Sequence, residues 1–272
     1  YKSLDGTNFS KLTIPKNTSG GNFEPNNLEI AADNSIYLST IQDSFGKGGG
    51  AILKSTNGTD FSLAYQVPGG RRVEIVCSKS DPNLIYILSQ LASSPVGIYK
   101  TEDGFVSVSA ISLPNDVDTG IPSNDFARGQ AGYNLLLAID PNDDKTIYVG
   151  GIDLFKSNNG GADWTQISKW SNNNNLRDLD VSLVHADQHG LAFSSSSGMI
   201  FGNDGGVYFS SDAGSTISSR NLGYNTLQFY TLGVAPTSAF NGDYFLAGAQ
   251  DNGTQLFENA ATGVDGTVDV SG

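Results

Sequence analysis

The chain is poor in the residues that usually announce chemistry, with one cysteine, one methionine and two histidines in 272 residues. A lone cysteine excludes an internal disulfide. Cys77 sits in RRVEIVCSKS, an apolar stretch of strand character, and reads as a small buried hydrophobe. Basic residues are also scarce: 15 Lys and Arg against 28 Asp and Glu give a net charge of -13, a field that repels nucleic acid. No apolar run approaches the roughly 20 residues that cross a bilayer, and no basic, apolar, small-residue leader opens the chain. The expectation is a soluble chain without a membrane span, any leader or upstream domain lying before Tyr1. No G-x-S-x-G elbow is present, which argues against a serine hydrolase. No segment sustains a 3.6-residue apolar period, so almost no helix is expected.

What is abundant is Gly, Ser, Thr and Asn, with charged residues at only 16%, a composition that suits a loop-rich secreted β protein. The length admits one large all-β domain or two smaller ones, and internal repeats decide between them. YKSLDGTNF (1–9), LKSTNGTDF (53–61), YKTEDG (99–104), FKSNNGGADW (155–164) and YFSSDAGSTI (208–217) share one grammar. An apolar or aromatic residue leads to Ser or Thr, then two residues later to Asp or Asn, with Gly close behind. The pairs are Ser3 and Asp5, Ser55 and Asn57, Thr101 and Asp103, Ser157 and Asn159, and Ser210 and Asp212. Successive Ser/Thr positions lie 52, 46, 56 and 53 residues apart, the length of a four-stranded propeller blade with generous loops. The grammar is that of a turn: hydroxyl and carboxylate or amide oxygens accept hydrogen bonds from backbone N–H groups at the bend, and Gly supplies the unusual backbone angle. Phe9, Phe61 and Trp164 then anchor the next strand.

Upstream of the turns, AADNSIYLST (31–40), SDPNLIYILS (80–89) and IDPNDDKTIYVGG (139–151) read as a strand end, a turn and an alternating second strand. Blades are expected at about 28–67, 72–113, 133–168 and 189–222, with partial ones at 1–14 and 228–272. The whole of 1–272 is then a single propeller segment, an incomplete arc of about five to six blades. The long polar loops are FGKGGG (45–50), 115–132 and KWSNNNNLRDLD (169–180). FGKGGG leads into a strand and lacks the Ser/Thr of a phosphate loop.

The Ser/Thr-x-Asp turns resemble those of Asp-box or BNR-repeat propellers, in which S-x-D-x-G-x-x-W marks the hairpin between the third and fourth strands. The match is good at Ser157–Trp164, one residue shorter at Ser3–Phe9 and Ser55–Phe61, and degenerate at Thr101 and Ser210. The ordered set VHADQH (184–189), GNDGGVY (202–208), LQFY (227–230) and AQDNGT (249–254) resembles secreted bacterial propellers of the sortilin-like and xyloglucanase-like group, many with C-terminal sorting modules in Bacteroidetes-type bacteria. The resemblance implies an extracellular or cell-surface bacterial protein.

Both histidines fall in VHADQH, where alternation on a strand would project His185, Asp187 and His189 from one face. By alignment of the repeats, Asp153, Asp204 and Asp251 occupy matching turns after the second strand of consecutive blades. Two roles stay open for His185, Asp187, His189, Asp204 and Asp251: a ligand pocket at the channel mouth, or a network satisfying buried polar groups between blades, which repeat architecture favours. No metal is assigned to the histidine cluster and no cofactor is expected. The pairs Asp116/Asp118 and Asp178/Asp180 could collect calcium but lack the ligand count of a defined loop. The expected function is a non-catalytic binding or scaffold propeller whose partner is a protein, a glycan or a further domain of the same chain. A glycoside hydrolase of xyloglucanase-like type, with paired carboxylates not assignable to particular residues, is the alternative. A sialidase needs an arginine cluster, and Arg71, Arg72, Arg128, Arg177 and Arg220 are scattered among loops.

Overall fold

Short runs rich in β-branched and aromatic residues, cut by Asp, Gly and Pro turns, form strands that pair with their sequence neighbours. The computed structural model describes residues 1–194, 198–223, 227–236, 238, 244–257 and 268–269. The first blade comprises β1 (Glu24–Ile30), β2 (Ile36–Ile41), β3 (Ala51–Ser55) and β4 (Ser62–Gln66). The second is β5 (Gly70–Cys77), β6 (Ile85–Leu91), β7 (Val96–Thr101) and β8 (Ser109–Ala110), and the third β9 (Leu136–Asp140), β10 (Asp143–Gly150), β11 (Leu154–Ser157) and β12 (Thr165–Gln166). A short parallel pair, β13 (Ser168–Lys169) and β14 (Ser182–Leu183), precedes the fourth blade. That blade holds β15 (Gln188–Phe193), β16 (Met199–Asn203), β17 (Gly206–Ser210) and β18 (Ser218–Ser219). The fifth holds β19 (Phe229–Val234), β20 (Phe245–Ala249), β21 (Thr254–Phe257) and β22 (Val268–Asp269).

Each of the five sheets keeps its strands in sequence order, an antiparallel meander. The inner strands lie side by side, β1 against β5, β5 against β9 and β9 against β15. The fold is therefore the all-β propeller that the repeats predict, an arc of four-stranded blades. The one helical turn among the described residues is the 3₁₀ segment Asn174–Asp178 in the KWSNNNNLRDLD loop. The end of that loop is held by Lys169, whose buried ammonium donates to the carbonyls of Leu176 and Leu179 at 3.1 and 2.7 Å.

Because successive strand residues face opposite ways, a blade has two faces to bury, and the first four blades bury their three facing pairs against one another. Tyr37 and Ile52 of the first blade meet Ile75, Cys77 and Ile87 of the second. Leu88 and Ile98 then meet Val149 and Phe155 of the third, with Phe126 wedged between. Tyr148 and Leu154 meet Met199 and Phe201 of the fourth. Cys77 is wholly buried, and burial pushes its thiol up to about 12, so it packs as a hydrophobe. Residues 1–14 form their own Lys2–Ser10 bridge and fasten to the first blade through the Thr13–Asp60 bridge and the packing of Leu12 and Ile14 with Leu38 and Phe61. The closing stretch VDGTVDVSG (264–272), apart from Val268 and Asp269, lies outside the described residues, as does the end of GLAFSSSS (190–197).

Four of the repeated turns join the third and fourth strands of their blades, the one at Ser3 lies in the segment before the first blade, and the hydrogen bonds of all five repeat. The Ser/Thr hydroxyl donates to the Asp/Asn oxygen at 3.0 Å in Ser3–Asp5, 3.1 Å in Ser55–Asn57, 2.9 Å in Thr101–Asp103 and Ser157–Asn159, and 2.8 Å in Ser210–Asp212. The same hydroxyl accepts a backbone N–H three or four residues on, as at Gly6, Gly58, Phe105, Gly161 and Gly214. Trp164 adds an indole N–H bond of 2.9 Å to the Ser112 carbonyl at the end of the second blade.

Ser157 is 1% exposed, and its oxygen takes the Gly161 N–H at 2.9 Å. Ser157→Ala leaves that donor buried and unmatched, so it is expected to lower unfolding free energy by about 1–3 kcal/mol. Urea denaturation of parent and variant measures the difference, and an unchanged midpoint would contradict the assignment.

Candidate functional site

In an antiparallel meander, the entry to the first strand and the turn between the second and third lie at the same end. The segments before β9 and β15 and the turns after β10, β16 and β20 therefore share one end of the arc. Asp153, Asp204 and Asp251 fall in those three turns, at different distances from the flanking strands.

The strand in this region begins at Gln188, later than alternation through VHADQH requires, and Asp187 takes a left-handed backbone with φ of 66°. His185, Asp187 and His189 consequently do not project from one face. The His185 Nε2 donates to the Asp251 carbonyl at 2.8 Å. The His189 Nε2 donates to Asp204 Oδ1 at 2.6 Å. Gly205 has to lack a side chain, because a Cβ there would overlap the His185 ring.

Three carboxylates do converge. Asp187, Asp204 and Asp251 each bring one oxygen to a cluster whose members lie within 4.8 Å of one another. Two residues not predicted from sequence support them from the segment before β9. The Tyr133 hydroxyl donates to both Asp204 oxygens at 3.0 and 2.8 Å, and its ring meets His189 edge-on with centroids 4.8 Å apart. Asn134, fully buried, donates its amide to Asp187 Oδ1 at 2.6 Å. Arg72 positions this segment by donating to the Tyr133 carbonyl at 2.6 Å. The Asp204 carboxylate pushes the Tyr133 hydroxyl up to about 12, because it accepts the proton that ionisation would remove. Asp251 is raised above the ordinary carboxylate range, first by burial and then by Asp204 and Asp187 beside it.

A cavity of about 390 Å³ opens against the cluster, lined by Arg128, Gln130, Ile152, Trp170, His185, Ala186, Asp187 and Asp251. Trp170 is 44% exposed, with the Arg128 guanidinium 5.8 Å from its ring centre. The charge of Arg128 is engaged behind the cavity: Nε and Nη1 donate to Asp116 and Asp118 at 2.8 Å each, and Nη2 lies 3.6 Å from Asp153. The Asp116/Asp118 pair is therefore balanced by an arginine. Asp153 has no exposed surface and accepts from the Ser168 hydroxyl at 3.1 Å. Burial, reinforced by Asp116, pushes it up to about 8. Arg72 pairs with Glu74, and the Arg220 guanidinium donates to Ser218 and the Ser219 carbonyl. With Arg72, Arg128 and Arg220 engaged in separate places, the described residues do not gather these arginines into one carboxylate clamp.

The chain matches no family model and no curated protein. Among solved structures it is similar to a GH74 enzyme of Niastella koreensis at 16% identity and TM-score 0.49, over 95% of this chain and 38% of that one. It is also similar to YCF48 from Cyanidioschyzon merolae, at 12% identity and TM-score 0.50, over 92% of this chain and 70% of that one. A third is the dihydro-heme d1 dehydrogenase NirN, at 7% identity and TM-score 0.48, over 88% of this chain and 46% of that one. The chain thus spans less than half the length of the first and third, and the likeness is one of fold.

Asp153 sets a pH dependence. The folded protein retains a proton that the unfolded chain releases near pH 3.8, so this residue's contribution to stability falls as pH rises from there to about 8. Asp153→Asn keeps the shape and has no proton to lose. The drop in urea midpoint between about pH 5 and about pH 8.5 is expected to shrink in the variant, and an equal drop in both proteins would remove Asp153 as its source.

Proposed function

We propose that this chain is a non-catalytic binding or scaffold propeller of a secreted or cell-surface bacterial protein, presenting the loops around VHADQH to a protein or glycan ligand. The observation that carries this reading is the cavity in which the half-exposed ring of Trp170 lies with Gln130, His185, Asp187 and Asp251. An aromatic surface beside a few fixed polar groups suits a sugar ring or a protein side chain. The acidic balance of the chain disfavours a nucleic-acid ligand. No helix among the described residues is long and apolar enough to cross a membrane. The bacterial, extracellular assignment and the sortilin-like, Asp-box affiliation rest on the sequence motifs.

A glycoside hydrolase is the second reading, favoured by the raised carboxyl of Asp251 beside two other acids. Its geometry is unfavourable. Retaining glycosidases hold their carboxyl groups about 5–5.5 Å apart and inverting ones about 6.5–9.5 Å. The three acids here converge, one oxygen of each lying within 4.8 Å of the others, rather than facing one another across an open groove.

Binding across a panel of plant and microbial polysaccharides, measured alongside reducing-end release, tests both readings. The expected result is a bound glycan without turnover, weakened on the order of tenfold by Trp170→Ala at an unchanged urea midpoint. Affinity indifferent to Trp170 would overturn the placement of the ligand. Turnover abolished by Asp251→Asn would establish the hydrolase instead.

A further inference from the structure

We propose that Asp187, Asp204 and Asp251 form a binding site for a hard divalent cation, calcium above all, that fastens the fifth blade to the fourth. The site rests on geometry and on one orphaned atom, and it stands whether or not the neighbouring cavity takes a glycan.

The geometry is that of a shared ligand sphere. The three acids come from the bend before β15, the turn after β16 and the turn after β20, yet each offers an oxygen within 4.8 Å of the other two. Oxygens on one calcium lie roughly 2.3–2.6 Å from it, so no two can be more than about 5 Å apart. Calcium therefore fits the cluster as it stands, and all-oxygen donors exclude a preference for a soft metal.

The charge around the cluster is one-sided. Tyr133 and Asn134 offer it neutral donors, and His189 offers one imidazole. Arg128, the cation at the adjoining cavity, is engaged by Asp116 and Asp118.

The independent observation is Asn134. Its side chain is fully buried and reaches Asp187, its amide nitrogen 2.6 Å from Oδ1. Its carbonyl oxygen Oδ1 is buried without any hydrogen-bond partner. A buried oxygen acceptor left over on a side chain aimed into a carboxylate cluster is what a cation, or the coordination shell around one, satisfies.

The consequence concerns the fifth blade. The apolar clusters described above join the first blade to the second, the second to the third and the third to the fourth. Contacts described between the fourth blade's end and the fifth are polar: His185 to the Asp251 carbonyl, and Asn252 to the Asp204 carbonyl at 3.1 Å. A cation shared by Asp204 and Asp251 bonds the two blades directly.

The test uses the full chain, stripped with chelator and titrated with calcium chloride by calorimetry, with terbium luminescence excited through tyrosine as a second readout. One equivalent of calcium is expected. Calcium at about 100 times its dissociation constant should raise the folded-to-unfolded ratio about hundredfold. Asp187→Asn with Asp251→Asn should abolish binding, and Asn134→Ala should weaken it about tenfold or more. Terbium emission should require Tyr133, which touches Asp204, and should be lost in Tyr133→Leu with calcium binding retained. Should the double variant fail to fold, Asp251→Asn alone, at the most exposed of the three, gives the same reading. Absence of calcium binding at millimolar concentration in the natively folded parent would overturn the proposal. So would binding that survives both Asp variants, or a zinc site lost in His189→Ala where calcium does not bind.

Discussion

The side chain of Gln188 is fully buried, and the arrangement of the site follows from how its amide is satisfied. Its Nε2 donates to the carbonyls of Ile152 at 3.2 Å and His185 at 2.6 Å, and its backbone N–H donates to Gly151 at 2.8 Å. Each such group left unmatched would cost about 1–3 kcal/mol, so the third blade and the VHADQH bend are tied through one residue. The approach is close. A Cβ on Gly150 would lie 2.7 Å from that of Gln188, and one on Gly151 would lie 2.8 Å from the Ala127 backbone. With the His185 carbonyl held inward by Gln188, its ring is directed to the fifth blade, and Asp187 turns into the left-handed region to let β15 begin.

Acids of the same type shift in opposite directions according to what faces them. In the turns, Asp5, Asp103 and Asp212 are held below the ordinary carboxylate range by backbone N–H and side-chain donors. Their stabilisation is present above the unfolded value and is lost as pH falls through the folded one. At the end of the arc that holds the cavity, Asp153 and Asp251 are raised, burial being the largest cause for both. The turn acids stabilise blades as charges. Asp153 is raised by burial and by Asp116, against the lowering influence of the Arg128 guanidinium 3.6 Å away.

The fold was legible because its determinants are local. A hydroxyl, a carboxylate and a glycine within a few residues specify a turn, and five such turns at similar spacing specify blades. That Asp153, Asp204 and Asp251 each follow a second strand was legible for the same reason, but only Asp204 and Asp251 join Asp187 in the cluster, while Asp153 is buried beside Ser168 and Arg128. The shape of the site was less so. Alternation in VHADQH predicts a common face only if the segment is a strand, and the residue that prevents this, Asp187, is one that tolerates the left-handed region. The inward role of Gln188 was hidden beside two more conspicuous histidines. Tyr133, Asn134 and Trp170 carry no turn signature of their own, and nothing in the local sequence says that Tyr133 meets Asp204 or that Asn134 meets Asp187, 71 and 53 positions away.

Among the described residues, the polar contacts at the last blade junction link the site to the integrity of the arc. Between the earlier blades, apolar burial is enough to hold neighbouring sheets, and the polar groups only fix their register. At the fifth blade, β19 leaves Tyr230, Leu232 and Val234 largely exposed, at 65%, 64% and 70%, so its attachment draws less on burial. It draws more on the contacts that Asp251 and Asn252 make with His185 and Asp204. These residues also line the cavities at this end. Anything that binds there with preference for the docked blade stabilises the docked state by its own differential affinity. In the proposed reading, a ligand bound at this end and the fifth blade draw on one set of carboxylates and carbonyls, so that binding and blade attachment are linked.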